Sequence, residues 1–173
     1  MNILLTSAGR RGYMVQYFKE ALNGSGKVYV GNCDENVVSF LHADVTVITP
    51  GIYDDNYIAF LLEYCVKNNI TAIIPLFDVD AFVLACHKNT FEREDIHIIV
   101  SDVSVVELCN DKWKMNCWLE ENHFLAPKTY LSLENVRNAV KNKEIHFPVI
   151  VKPRWGMGSI AVYKVSDMEE LNF

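Results

Sequence analysis

Short apolar runs recur through the first hundred residues, at 2–5, 28–31, 45–48, 72–75 and 96–100, and apolar residues between them follow helical spacing. Runs this short, bounded by polar turns, predict strands. Their regular alternation with helical stretches at 12–22, 55–68 and 79–88 predicts a parallel sheet with helices on both faces. In the second of these helices Tyr57, Leu61, Leu62 and Cys65 share one face, as a helix packed on a sheet requires.

After residue 100 the pattern changes. Ser104 with Glu107 fits a capping box, and Asn110 or Asp111 can cap a helix running to about 121, which Pro127 keeps from continuing far. Lys112 then falls in a first helical turn, where a cation is unfavourable beside the positive end of the helix dipole; the placement fits either a compensating anion or an exposed lysine bending into solvent. Ser132 is positioned to cap a further helix over 133–143.

The run from Phe147 to Tyr163 reads as strand, glycine loop, strand. Lys152 precedes Pro153 and is biased towards extended backbone, so it leaves the end of a strand. Gly156 and Gly158 free the backbone to present successive N–H groups to an anion, with Lys152 and Arg154 supplying positive charge. No Gly-Lys-Ser/Thr follows, so this is not a P-loop, and a plain hairpin with a lysine on its rim is the alternative. Ser166 and Glu169 suggest another capping box, which makes 167–173 the opening of a helix. Two strands and one helical turn cannot bury both of their faces, so a complete second domain is not expected in what remains.

Composition narrows the function. Half of the 173 residues are apolar, enough for a sizeable core, and a net charge of −6 without a Lys/Arg cluster argues against nucleic-acid binding. The five cysteines, Cys33, Cys65, Cys86, Cys109 and Cys117, form no C-x-x-C pair and read as free, mostly buried thiols of a reducing compartment. The N-terminal charges follow the apolar run, the wrong order for a signal peptide, and no run is long enough to span a bilayer; a cytoplasmic location is expected. His42, His87, His97, His123 and His146 show no metal-binding spacing and read as structural, while Trp113 and Trp118 read as core.

Candidate chemistry collects where strands end. The first strand runs into Thr6-Ser-Ala-Gly-Arg-Arg-Gly12, at the edge where open parallel sheets bind ligands. Its Ser7, Gly9, Arg10 and Arg11 are candidate substrate-binding residues, though the two glycines could equally do no more than shape a tight turn. The loop is not the dinucleotide G-x-G-x-x-G. Asp34, after the second strand, could hold a ribose hydroxyl in an oxidoreductase or cap a helix. Asp78 and Asp80, after the fourth strand, either cap the next helix or meet a substrate amine or metal.

Taken together and in order, Asn110-Asp-Lys112, Pro127-Lys-Thr-Tyr130 and Phe147-Pro-Val-Ile-Val-Lys-Pro-Arg-Trp-Gly-Met-Gly-Ser159 resemble the ATP-grasp superfamily. The opening Asn2-Ile-Leu-Leu-Thr-Ser-Ala-Gly-Arg-Arg11 is similar to that of its carbamoyl-phosphate-synthase-like branch. The resemblance implies a parallel-sheet, Rossmann-like pre-ATP-grasp domain over residues 1–103, then an incomplete α+β ATP-grasp domain over 104–173. It implies that Lys112 and Lys152 contact nucleotide phosphates and that Gly156, Met157, Gly158 and Ser159 close over the β- and γ-phosphates.

Carbamoyl phosphate synthetase itself carries arginines at the two cation positions, so the lysines here point to another ligase of the superfamily. The implied reaction phosphorylates a carboxylate with ATP and then lets an amine displace phosphate from the acyl phosphate. ATP and Mg2+ are the implied cofactors, with metal ligands expected beyond residue 173. The chain then reads as the front part of a longer ligase, not expected to turn over unaided. Small-molecule carboxylate and amine substrates, a second copy of the chain or the rest of the ATP-grasp chain are the partners to expect, with no nucleic acid or membrane. A dinucleotide-dependent oxidoreductase domain and a non-catalytic binding module are the competing readings.

Overall fold

The computed structural model describes residues 1–172. The chain divides into two compact units, Met1–Val106 and the residues from Glu107 onward, with the division falling inside one helix.

In the first unit, β1 (Asn2–Thr6), β2 (Val28–Asn32), β3 (Val45–Ile48), β4 (Ile70–Pro75) and β5 (His97–Ile98) form one sheet in the order β3-β2-β1-β4-β5. Every pairing is parallel. Burial follows position. The inner strands β1 and β2 are buried along nearly their whole length, whereas edge strand β3 alternates half-buried and exposed residues.

Side-chain alternation sorts the strands into two cores. Leu4, Tyr29 and Ile73 face Tyr57, Leu61, Cys65, Leu84 and Phe91 from α2 (Tyr57–Lys67), α3 (Asp78–Cys86) and α4 (Lys88–Glu92). Ile3, Leu5, Val28 and Val30 face Val15 and Leu22 from α1 (Gly12–Leu22). Consecutive strand residues thus serve opposite faces, the period of two that a doubly covered sheet imposes. Leu62 packs half-buried against the same core as its predicted helix-mates.

Helix α1 spans its predicted residues and stops where Asn23 turns left-handed, its N–H donating to the carbonyls of Lys19 and Glu20. The helix predicted over 79–88 starts one residue earlier and breaks at His87, whose ψ of 10° leaves the helical region. After the break α4 buries Phe91 completely. A 3₁₀ turn at Val38–His42 went unpredicted, since five residues are too few for periodicity to show. Among the cysteines only Cys65 is buried; Cys33, Cys86 and Cys109 are exposed because they sit in a loop or on outward-facing helix turns, which corrects the expectation of mostly buried thiols.

The second unit contains the end of α5 (Val103–Asn110), then α6 (Lys112–Glu121), α7 (Leu133–Lys141), the antiparallel pair β6 (Val149–Val151) and β7 (Tyr163–Val165), and α8 (Met168–Leu171). Helix caps explain most boundaries. Asp111 caps α6, and the Ser132 hydroxyl accepts from Asn135 N–H at the start of α7.

Two predicted boxes shift by one or two residues. Helix α5 begins at Val103, with Asp102 carbonyl accepting from Val105 and Val106, so Ser104 lies inside it. At α8 the cap is Asp167, and Glu170 reaches back to the N–H of Ser166. Phe173, included in the helix predicted there, lies outside the described residues.

The second strand of the hairpin also starts late, because residues 158–161 form a turn in which Ser159 and Ala161 have φ of 59° and 55°. Trp118 is 41% exposed and stacks on Phe124 instead of entering a core. Apolar burial is thin here: Ala139 and Val165 are buried, whereas Ile150 and Ile160 are 57% and 76% exposed.

This contrast sets an expectation for stability. Leu61→Ala in the fully buried core should cost about 2–5 kcal/mol, and Ile150→Ala on the exposed hairpin should stay within about 0.5 kcal/mol. Urea unfolding followed by circular dichroism measures both.

Candidate functional site

The sheet order places a topological switch point between β1 and β4, where the chain leaves on opposite sides of neighbouring strands. The loop after β1 and the first turn of α3 meet at this carboxyl edge. Ser7 extends the strand pairing by donating its N–H to Gly31, then turns left-handed at φ 54°, as does Gly9 at φ 52°. The turn is pinned from two sides: Arg11 N–H donates to Ala8 carbonyl, and Ser39 N–H donates to Gly9 carbonyl. Gly12 starts α1 against His42, whose ring carbon would lie 2.3 Å from an added Cβ. Arg10 and Arg11 are exposed and make no side-chain hydrogen bond or ion pair among the described residues.

Beneath the loop lies Asp80, fully buried. One of its oxygens accepts from Tyr57 hydroxyl at 2.7 Å and the other from Ser7 hydroxyl at 2.8 Å. Neither Asp78 nor Asp80 makes a side-chain cap bond to α3, contrary to the capping alternative. Asp80 ties three elements together instead. With no cation beside it, burial pushes its carboxyl above the usual range despite the hydroxyls from Tyr57 and Ser7, and burial likewise pushes the Tyr57 phenol up. The Ser7 hydroxyl is therefore engaged inward. Asp34 is exposed; its carboxylate accepts from Asn36 N–H at 2.8 Å in a local turn and caps no helix.

In the second unit Arg154 of the predicted loop meets Asp111, which is 3% exposed. Its Oδ1 accepts from the N–H groups of Trp113 and Lys114 at the start of α6 and from Arg154 Nε at 2.8 Å, while Oδ2 accepts from Arg154 Nη2 at 2.6 Å. The guanidinium holds the Asp111 carboxyl down to about 2. Arg154 also lies over the ring of Trp155, 4.4 Å from its centroid. Its charge is thus already matched.

Lys112 answers its helix-terminal position in an unforeseen way. Its N–H donates to Arg154 carbonyl at 3.2 Å and its Nζ donates to Gly156 carbonyl at 2.7 Å. Gly156 and Gly158 have φ of 126° and 66°, a region that favours glycine. Lys152 follows β6 and has no hydrogen-bond or ion-pair partner among the described residues.

Lys112, Lys152 and Arg154 line one cavity of about 990 Å³, together with Lys128, His146 and an apolar wall that includes Val149. That volume lies within the range of small-molecule sites, about 300–1,000 Å³. Glu144 is its one acidic lining residue among those described, so mobile positive charge predominates. Residues 156–159 lie outside the lining. No group of three His, Cys, Asp or Glu able to hold a metal occurs among the described residues, and no helix there is long and apolar enough to cross a membrane.

A doubly wound parallel sheet, followed by an α+β unit with a cation-lined cavity, defines a two-part α/β protein. The family models agree: that of the PylC-like N-terminal domain matches residues 3–99, and that of an ATP-grasp domain matches residues 109–173. The chain belongs to the ATP-grasp superfamily.

Solved structures carry the same fold at low identity. N5-carboxyaminoimidazole ribonucleotide synthetase from Thermotoga maritima matches at 20% identity and a TM-score of 0.68, over 99% of this chain and 42% of that one. The biotin carboxylase domain of Hydrogenobacter thermophilus 2-oxoglutarate carboxylase, solved with MgADP and bicarbonate, matches at 20% identity and 0.65, over 99% and 38%. L-amino acid ligase from Bacillus licheniformis matches at 18% identity and 0.67, over 98% and 40%. The chain therefore spans about two fifths of the length of these enzymes. A search of curated protein sequences finds no match.

The raised carboxyl of Asp80 has a definite sign in stability. The folded state binds its proton more readily than the unfolded state, so Asp80 makes stability fall as pH rises from about 4 through its elevated value. Wild-type protein should lose more stability across that window than Asp80→Asn, as compared by urea midpoints at successive pH values.

Proposed function

We propose that this chain is the N-terminal portion of an ATP-dependent carboxylate–amine ligase of the carbamoyl-phosphate-synthase-like branch, and that its second unit binds the triphosphate of ATP. The observation that carries this reading is the convergence of Lys112, from the start of α6, and Lys152, from the end of β6, on one cavity beside a loop with left-handed glycines. Two mobile cations and an apolar wall suit a molecule with a polyanionic tail and a flat apolar base.

The residues fit the nucleotide. Lys112 and Lys152 would hold phosphate oxygens, and the Gly156-Met157-Gly158-Ser159 turn would offer backbone N–H groups and close over the β- and γ-phosphates. Bound ATP supplies the phosphoryl group that activates a carboxylate as an acyl phosphate for attack by an amine. Lys112 must exchange the Gly156 carbonyl for a phosphate oxygen, and loop closure keeps water from the reacting groups. Arg154, with its charge matched by Asp111, takes the role of holding the loop in place of phosphate contact.

The described residues do not fit a resident Mg2+, since Glu144 alone supplies a carboxylate to the cavity. In the first unit, Arg10 and Arg11 with the left-handed Gly9 turn are the residues offered to an anionic substrate, the guanidinium forks suiting a carboxylate. Ser7 shapes that turn from below through its bond to Asp80.

Calorimetric titration of the full-length protein with ATP and Mg2+ tests the reading. Lys112→Ala and Lys152→Ala should each weaken ATP binding about 10–100-fold, while Lys164→Ala on β7 leaves it unchanged. NADH should give no saturable response. Unchanged ATP affinity in both lysine variants, or tight NADH binding, overturns the assignment.

A further inference from the structure

The bonds around Asp111 go beyond what a helix cap needs. A cap requires one side-chain oxygen accepting from backbone N–H groups, and Oδ1 does this with Trp113 and Lys114. The same carboxylate also takes Arg154 in a two-point clamp, Nε on Oδ1 and Nη2 on Oδ2. The N–H of Lys112 completes the staple on the Arg154 carbonyl. Residues 111 and 112 thus hold residue 154 by both its side chain and its backbone, across 43 positions of sequence.

We propose that Asp111 is a positioning residue for the nucleotide site: through Arg154 it fixes the loop from Lys152 to Gly156 against the start of α6, and so sets the separation of the two lysines. The proposal rests on the ATP reading above. It follows from connectivity. Asp111 immediately precedes Lys112, and Arg154 is joined to Lys152 through Pro153, whose ring locks one of the intervening backbone torsions. Anchoring Arg154 therefore anchors Lys152 on one side, and on the other Gly156, whose carbonyl holds Lys112 Nζ. Asp111 touches neither phosphate nor substrate in this account. Few buried apolar side chains of the second unit could do the same work, because β6 and the loop are largely exposed.

Capping and clamping separate by substitution. Asn and Ser cap helices about as well as Asp, but neither offers Arg154 a charged, two-oxygen partner. Asp111→Asn and Asp111→Ser, made in the full-length protein, should leave far-ultraviolet circular dichroism unchanged. Amide exchange at Lys112, whose N–H is bonded to the Arg154 carbonyl, should rise at least about tenfold when measured without nucleotide. ATP affinity should fall by about tenfold in each variant and in Arg154→Ala, and the Asp111→Asn/Arg154→Ala double variant should be no weaker than either single one.

Wild-type exchange at Lys112 in Asp111→Asn overturns the clamp. Faster exchange with wild-type ATP affinity overturns the positioning role and leaves a purely structural tie. Additive losses in the double variant overturn the route through Arg154. The ATP reading fails separately, by wild-type protein that does not bind ATP; that result removes the positioning role with it, while the exchange data still decide whether the clamp exists.

Discussion

A carboxylate buried at the start of α6 organises the second unit. Asp111 accepts from two backbone N–H groups and from two nitrogens of Arg154, so each demand of burying a charge is met by a donor. Few apolar side chains of this unit are buried, and most of the hairpin faces solvent. Where hydrophobic packing is sparse, directional polar contacts decide which segments adjoin. Asn116 repeats the device: buried, it accepts from Thr129 hydroxyl and donates to Glu120, bringing the segment after Pro127 against α6. The cavity with its lysines is shaped by these polar ties as much as by its apolar wall.

The first unit reverses this balance. Its sheet is covered on both faces by apolar side chains, and the core needs no ion pair to define it. A charge-bearing group is nonetheless buried at the switch point, where Asp80 accepts from Tyr57 and Ser7. The two buried carboxylates move in opposite directions for one reason. Asp111 has a guanidinium and drops to about 2, whereas Asp80 has hydroxyls alone, and desolvation raises it. Asp80 is costly to bury in ionised form. Its bonds go to the residues that begin α2 and the loop after β1, so that cost falls at the place where the loop's left-handed Ser7 must be held.

How much of this was legible depends on whether a feature is local in sequence. The strands and α1 were readable because periods of two and 3.6 residues repeat within each element. The glycine loop, Lys112 and Lys152 were readable as residue types in order, and the cap at Asp111 from its place before a helical stretch. Pairing across distance was not. Nothing near Arg154 announces that its partner lies 43 residues upstream, and nothing near Ser7 announces Asp80, 73 residues on. Arg154 therefore looked like a free cation and Ser7 like a free hydroxyl. A signal for the first did exist: an acidic residue at a helix start and an arginine in a cationic loop are natural partners once the two segments are known to adjoin. The displaced box at Ser166 shows a smaller ambiguity, because the adjacent Asp167 competes for the same role.

Lys112 combines these strands of argument. A lysine in the first turn of α6 meets the positive end of the helix dipole, and the one carboxylate there, the Asp111 cap, is shared with Arg154. Its ammonium rests on a single neutral carbonyl, Gly156, which is a weaker partner than any anionic oxygen. Lys152, lining the same cavity, has no partner among the described residues. Two cations thus line one cavity with their strongest attractions unmet, beside a loop whose glycine conformation is itself seldom populated by other residues. Stability alone would favour a neutral or acidic residue at position 112. On the proposed reading, a polyanion in the cavity offsets the two ammonium groups and the cost of holding the loop at the same time.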